Sequence, residues 1–431
     1  MFSPILEMKA IHLFLSAIAI AAALNVSAAD PMATDYSFEE CQGSAMPYPS
    51  DIKAAQYPDS LVPVFINHVG RHGARYPASA ANSLAVERAL KHADSLGTIT
   101  PLGRKMMALN KRVMVLSEGR WGALDSLGEA EQEAIATRMF YNYAEAFGKD
   151  CTVEAISSYS PRAMMSMFAF THRLDRLNNR LTFNTSTGRT NSLLMRPFDI
   201  DKDYIAFRKE KPYKAPYDEF LAAQCPLSAL KRVLGENYPF GSEAEARDLA
   251  LAQFHVVAGL SAMGQPSQMS EFFSKAEANA LWSCFNLKQY LQRTATTLSQ
   301  VPADIASALL LDLISTTDAF VTGENTKVCV RLRFGHAETL LPLFSLMRLP
   351  GCNYLTNYFD TVAGRWRNFD IVPMAANLQL IVFKSVRSGR YYVRVDLNEQ
   401  PVALRDGDTE IYYPWGELRR YLMNCVPLYA Q

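Results

Sequence analysis

The sequence predicts an α/β fold, a mainly parallel sheet flanked by helices, with a long helical stretch set into it. Three observations carry the prediction. The apolar run at 61–66 reads as a strand buried on both faces, the habit of parallel sheets. Two further strand-to-helix junctions follow, around Ser157 to Arg162 and around Phe334 to Glu338. Between them, residues 180–300 carry helical patterns with little strand signal.

Taken in order, the chain opens on an export signal. Met8-Lys9 precedes an alanine-rich apolar run at 11–26, and Val26-Ser27-Ala28-Ala29 offers small residues for cleavage, so residues 1–29 read as removed. The expected location is periplasmic or extracellular. The run is short for a membrane span, and no other stretch is long and apolar enough to cross a bilayer. Forty-three basic and 43 acidic side chains cancel. No global charge therefore draws the chain to nucleic acid or to a membrane surface, and an anionic ligand must be attracted by local clusters. The seven cysteines are odd in number and widely spaced. Export permits disulfides, the connectivity stays open, and no close pair suggests zinc.

After an extended lead-in at 30–60, the strand at 61–66 turns abruptly into Gly70-Arg71-His72-Gly73-Ala74-Arg75-Tyr76-Pro77. Two arginines flank a histidine, glycines permit a tight turn, and Pro77 fixes the exit. Arginine forks match phosphate oxygens, and histidine serves as nucleophile or acid/base near neutral pH. Helices are expected at 83–96, 101–116 and 129–147, the second opened by Thr100-Pro101. The segment from Gly122 to Gly128 reads as a turn and a helix start. A short strand at 155–160 leads into a helix from Pro161 to His172. Further on come a helix at 302–320, a strand at 327–334, a helix at 339–347, a hairpin around Ser388-Gly389 and a last helix at 415–423.

Arg71-His72-Gly73-x-Arg75-x-Pro77 resembles the RHGxRxP signature of the histidine acid phosphatases. Ser157-Ser158-x-x-x-Arg162 is similar to that family's second strand-end motif, which supplies another phosphate-binding arginine. His336-Ala337-Glu338 stands where most members have His-Asp, and looks like the multiple inositol polyphosphate phosphatase branch. The resemblance runs through these three anchors, from residue 61 to about 347. It implies a histidine-phosphatase, phosphoglycerate-mutase-like core made of residues 30–178 and 301–431, with an α-helical cap at 179–300.

The implied activity is hydrolysis of inositol polyphosphates such as phytate, with no metal and no cofactor. His72 would attack phosphorus and form a phosphohistidine. Arg71, Arg75, Arg162 and His336 would hold the equatorial oxygens. Glu338 would give a proton to the leaving alkoxide and later help activate water. A histidine acid phosphatase of broader or different phosphomonoester specificity is the alternative. The basic run at 199–217, with Lys202, Lys209, Lys211 and Lys214, has two readings: a cationic rim that binds the further phosphates, or a solvated loop. His68 and His72 are four apart, a zinc spacing on a helix, but the strand and Gly70 argue against a helix there.

Overall fold

The computed structural model describes residues 34–148, 151–405 and 407–430. The expected signal at 1–29 lies outside them. Among the described residues, no helix is long and apolar enough to cross a membrane.

The organising strand is β1 (Leu61–Arg71). Its side chains alternate between two cores, with Phe65 and Val69 facing one and Ile66 the other. Pro63, which has no N–H to give, sits where the pairing register with the neighbouring strand slips. The strand is longer than the apolar run suggests. Asn67, His68 and Gly70 look like the start of a turn, yet they pair on both sides and are buried. Asn67 is satisfied there by Thr316, Thr317 and Arg333.

Three helices cross over from β1: α1 (Ala81–Ser95), α2 (Pro101–Ser117) and α3 (Ser126–Asn142). The Thr100 hydroxyl caps α2 by accepting from Gly103 N, and the Asp125 carboxylate caps α3 by accepting from Leu127 N. Then come β2 (Thr152–Ser157), α4 (Pro161–Leu177) and β3 (Thr182–Thr187). The helical segments that follow include α5 (Lys202–Glu210), α6 (Lys214–Gln224), α7 (Ser228–Leu234), α8 (Glu243–Ala258) and α9 (Lys275–Arg293). The chain returns through α10 (Ser307–Val321), β4 (Val328–Gly335) and α11 (Ala337–Leu346). It ends in the hairpin β5 (Asn377–Ser385) and β6 (Tyr391–Leu397), two short strands β7 (Gln400–Pro401) and β8 (Tyr413–Pro414), and α12 (Trp415–Cys425).

The sheet order is β3-β2-β4-β1-β5-β6-β7, with β8 also paired to β6. The four strands β3, β2, β4 and β1 are parallel, and β5 and β6 complete the sheet antiparallel. The mainly parallel, helix-flanked expectation therefore holds. Its boundary at 179 needs correction, because residues 182–187 are a strand of the sheet. The segment TFNTST is polar and largely exposed along a sheet edge, so it lacks the apolar alternation that marks a strand in sequence. A disulfide joins Cys151 to Cys329 across the starts of β2 and β4, with Cα atoms 5.6 Å apart.

Parallel pairing has one consequence for function. Arg71 stands level with Gly335, and Ser157 with Phe334. The C-terminal ends of β1, β2 and β4 thus finish side by side, where open α/β sheets present their binding crevice.

Candidate active site

His72 follows directly on β1, and its neighbours fix it from all sides. Its N–H donates to Gly335 O at 3.1 Å, and its carbonyl accepts from Ala375 N at 3.0 Å. Gly73 N donates to Ser166 Oγ, and Ala74 N donates to Glu131 Oε2 at 2.7 Å. Gln132 Nε2 donates to Arg71 O. A Cβ on Gly73 would collide with the carbonyl of Gly128, and a Cβ on Gly128 with Ala74. The stretch from Gly122 to Gly128 is therefore the second wall of the motif loop: Asp125 starts α3, and Gly128 lets two backbones touch. Glu131, buried between Tyr48 N and Ala74 N, has its carboxyl pushed up to about 7 by burial.

The tautomer of His72 follows from one contact. Its Nδ1 lies 2.9 Å from Gly73 O, and a carbonyl can only accept. Nδ1 carries the proton, so Nε2 holds the lone pair. Burial, and then Arg162, Arg71 and Arg75, hold the ring well below the usual imidazole range.

The expected phosphate ligands converge on it. The cavity, about 330 Å³, is lined by Arg71, His72, Arg75, Arg162, Arg293 and Glu338 among others. Arg71 Nη1 donates to Ser44 O and Val372 O, at 2.6 and 2.7 Å, and Arg75 Nη1 donates to Tyr76 O at 2.7 Å. The Nε groups of Arg71, Arg75, Arg162 and Arg293 are buried and donate to no described residue. Burial, and then a neighbouring arginine, press Arg75 down to about 9 and Arg162 to about 10. At physiological pH these guanidiniums stay charged, and the shifts report first the lost solvation and then the repulsion between neighbours, both of which an anion would relieve.

His336 stands 5.5 Å from His72, ring centre to ring centre. Arg162 Nη2 reaches its Nδ1 at 3.3 Å, while Ser158 Oγ and Arg196 Nη1 both reach its Nε2 at 2.9 Å. Burial and the arginines keep the ring neutral. A neutral imidazole has one lone pair, so it cannot accept from both arginines. Whichever tautomer is present, one guanidinium edge has no acceptor on His336 and is left for a ligand oxygen.

Glu338 sits in the first turn of α11 with its Oε1 2.7 Å from Arg293 Nη1. The pair is close, but Nη1 is not aligned to donate a hydrogen bond.

Five motif residues, His72, Glu338, Arg71, Arg75 and Arg162, thus line one cavity, and His336 stands against two of them, His72 and Arg162. The four lysines do not join them. Lys202, Lys209, Lys211 and Lys214 are exposed and line neither this cavity nor its smaller neighbour. The run at 199–217 is not a loop but α5 and the start of α6. Its buried face is Tyr204, Phe207 and Tyr217, so the lysines fall on the solvent side, and Lys214 pairs with Asp218. His68 packs between Phe170 and Phe334, with ring centres at 5.3 and 5.4 Å. Residues four apart along a strand are roughly 13 Å apart, too far for His68 and His72 to share a metal.

Two cations escape sequence reading. Arg196 is gripped by Asp199 at 2.6 Å and lies over the rings of Tyr159 and Phe198. Arg293 is the last residue of α9, where a basic side chain looks like a partner for the helix dipole. No local pattern singles out either one.

A family model described as histidine phosphatase superfamily (branch 2) matches residues 64–398, which covers the sheet from β1 to β6. Multiple inositol polyphosphate phosphatase 1 of Gallus gallus is 25% identical over 391 residues, 86% of this chain and 85% of its own. Among solved structures, Bifidobacterium longum multiple inositol polyphosphate phosphatase in complex with inositol hexasulfate matches with a TM-score of 0.76 at 18% identity, over 90% of this chain and 99% of that one. The phytase from D. castellii matches with a TM-score of 0.69 at 17% identity, over 94% of this chain and 89% of that one.

Proposed function

We propose, from the premise that this chain belongs to the histidine phosphatase superfamily (branch 2), that it is a phosphomonoesterase acting on inositol polyphosphates such as phytate. The observation that carries the reading is His72, its Nδ1 proton tied to Gly73 O, in one cavity with Arg71, Arg75 and Arg162. The relative from Gallus gallus supports the substrate class.

In the proposed reaction, His72 Nε2 forms a bond to phosphorus as the ester P–O bond breaks. Arg71, Arg75, Arg162 and His336 carry the equatorial oxygens, Arg196 adds a fifth donor, and Glu338 gives its proton to the leaving alkoxide. Water then attacks the phosphohistidine and passes a proton to Glu338. The N–P bond breaks, inorganic phosphate leaves, and both residues return to their starting states. Phosphoryl transfer asks for position and charge more than for covalent ingenuity, and these residues supply both.

Export is part of the proposal: the apolar segment before residue 30 sends the chain out, and the Cys151–Cys329 bond suits an oxidising compartment. The helical segments between β3 and residue 300 form the proposed cap, which contributes Arg196 and Arg293.

The test is time-resolved phosphate release from phytate and from a simple alkyl monoester, with acid-labile phosphate on His72 trapped by denaturing quench. Turnover of phytate with a trapped phosphohistidine is expected. Turnover of simple esters alone would point to a broad-specificity phosphatase instead, and turnover without the adduct would overturn the nucleophile.

A further inference from the structure

Glu338 faces two cavities. One contains His72 and the motif arginines. The other, about 290 Å³, is lined by Phe198, Tyr204, Ile205, Arg208, Arg293 and Glu338. Among the described residues, only Arg293 and Glu338 line both. Arg293 is thus the cation between the proton donor and a second recess that already holds another arginine.

The ion pair poses a chemical problem. A general acid must arrive protonated, but a guanidinium 2.7 Å from the carboxylate favours the ionised form. The pair is also incompletely made. Arg293 Nη1 is out of line for a hydrogen bond, and Nε donates to no described residue. The Arg293 side chain is 20% exposed and that of Glu338 is 36% exposed. Nε and Nη1 are buried, but Arg293 lines both cavities, so a ligand placed in either one can reach the side chain and compete with Glu338 for it.

We propose that Arg293 is a substrate-operated gate on Glu338. A phosphate next to the scissile one seats between Arg293 and Arg208, draws the guanidinium off Glu338, and lets the carboxyl keep the proton that the leaving oxygen needs. A substrate with one phosphate cannot do this, so its hydrolysis stays limited to lower pH. The inference rests on the inositol polyphosphate reading and assigns that substrate class a role in activating its own acid.

Titratable and charged groups face Glu338 from several elements. From α9 comes Arg293, and from α5 come Arg208 and Tyr204. Tyr204 is raised by burial. From α8 comes His255, held down to about 4 by burial. On its own turn stands His336, and from the cavity floor His72 with Arg71, Arg75 and Arg162. His72 and His336, like His255, lie below the usual range, and the arginines stay cationic.

The experiment compares pH–rate profiles for phytate and inositol monophosphate, both losing ring alkoxides of similar basicity. In the wild-type enzyme, the upper limb for phytate should lie about one pH unit above that for the monophosphate. Arg293→Gln should lift the monophosphate limb by about that amount and close most of the gap. Arg208→Gln should act in the opposite sense and bring the phytate limb down toward that of the monophosphate. If Arg293→Gln moves neither limb, or moves both equally, the gate is wrong. Should Arg293→Gln not fold, an unchanged phytate limb in Arg208→Gln overturns the proposal by itself. If phytate proves not to be a substrate, the function reading fails separately. The gate is then judged on the monophosphate limb alone, which must still rise in Arg293→Gln.

Discussion

Replacing His68 with leucine should remove about 2 kcal/mol of acid destabilisation between pH 7 and pH 5. His68 is 1% exposed, lies between Phe170 and Phe334, and finds no hydrogen-bond partner among the described residues for either ring nitrogen. Burial, helped by Arg333, holds its pKa down to about 3, against 6.5 for a free imidazole. The sign follows from proton uptake. Below about pH 6.5 the unfolded chain binds a proton at this position, while the folded chain binds none until about pH 3, so stability falls as pH falls. At pH 5 the penalty is about 1.5 pH units at 1.36 kcal/mol each, or about 2 kcal/mol. The figure is insensitive to the folded pKa, provided that value lies below about 4. Leucine fills the slot without titrating. Urea unfolding of both proteins at the two pH values measures the effect; by thermal melting it is a shift of about 2 °C for a chain of this length. Differencing against the wild type removes the contribution of Glu131, whose raised carboxyl acts in the opposite direction, and that of His255. An equal loss of stability in the two proteins would refute the reasoning, because it would mean that the folded His68 accepts a proton.

Four further outcomes are expected. His72→Ala should cut turnover by a factor on the order of 10³ or more while the unfolding transition survives; a folded variant within a few-fold of wild type would remove His72 as nucleophile. Glu338→Gln should slow phytate hydrolysis by roughly 10²-fold or more but barely affect an ester with a nitrophenolate leaving group, and equal losses would mark Glu338 as structural. Neutralising Lys209, Lys211 and Lys214 together should change the KM for phytate by no more than about threefold, since these side chains are solvated; a larger rise that salt reproduces would place the cationic rim there after all. Gly128→Ala should cost roughly 1–3 kcal/mol and also lower kcat, because its methyl group must push on Ala74 in the motif loop; full activity would mean that the loop tolerates the shift.

How far the sequence could be read depended on whether a residue's role was local. The motif residues were legible because each sits at a strand end, with its glycine or helix start beside it. The hairpin around Ser388-Gly389 was legible for the same reason: alternation and turn chemistry lie within one stretch, and the observed pairing of Lys384 with Tyr391 follows from them. Asn67 and His68 misled, because a polar pair after an apolar run looks like a strand's end. Their burial depends on Thr316, Thr317 and Arg333, which are distant in sequence. The lysines misled in the opposite way. Charge density is visible in sequence, but which side of a helix faces the crevice is decided by where Tyr204 and Phe207 dock. Arg196 and Arg293 were invisible because nothing near them in the chain is unusual; only the fold carries them to His336 and Glu338.

The two sets of cations are also held differently, and the difference bears on how the site handles a polyanion. The inner ones, Arg71 and Arg75, are anchored by the carbonyls of Ser44, Val372 and Tyr76. A carbonyl accepts the hydrogen bond and fixes the fork but leaves its charge uncompensated, so the attraction for a phosphoryl group in transit stays at full strength. His336, at the start of α11, adds the positive end of a helix to the same spot. Two others, Arg196 beside His336 and Arg293 farther out, are each paired with a carboxylate, Asp199 and Glu338. A phosphate at Arg293 competes with Glu338 for the guanidinium and is held more weakly, while Arg196 keeps its Nη1 turned to His336 rather than to Asp199. The arrangement concentrates affinity on the phosphate being removed and spends little on those around it. A substrate that loses phosphates stepwise can then let go and bind again by another group, which a site with five uncompensated arginines would resist.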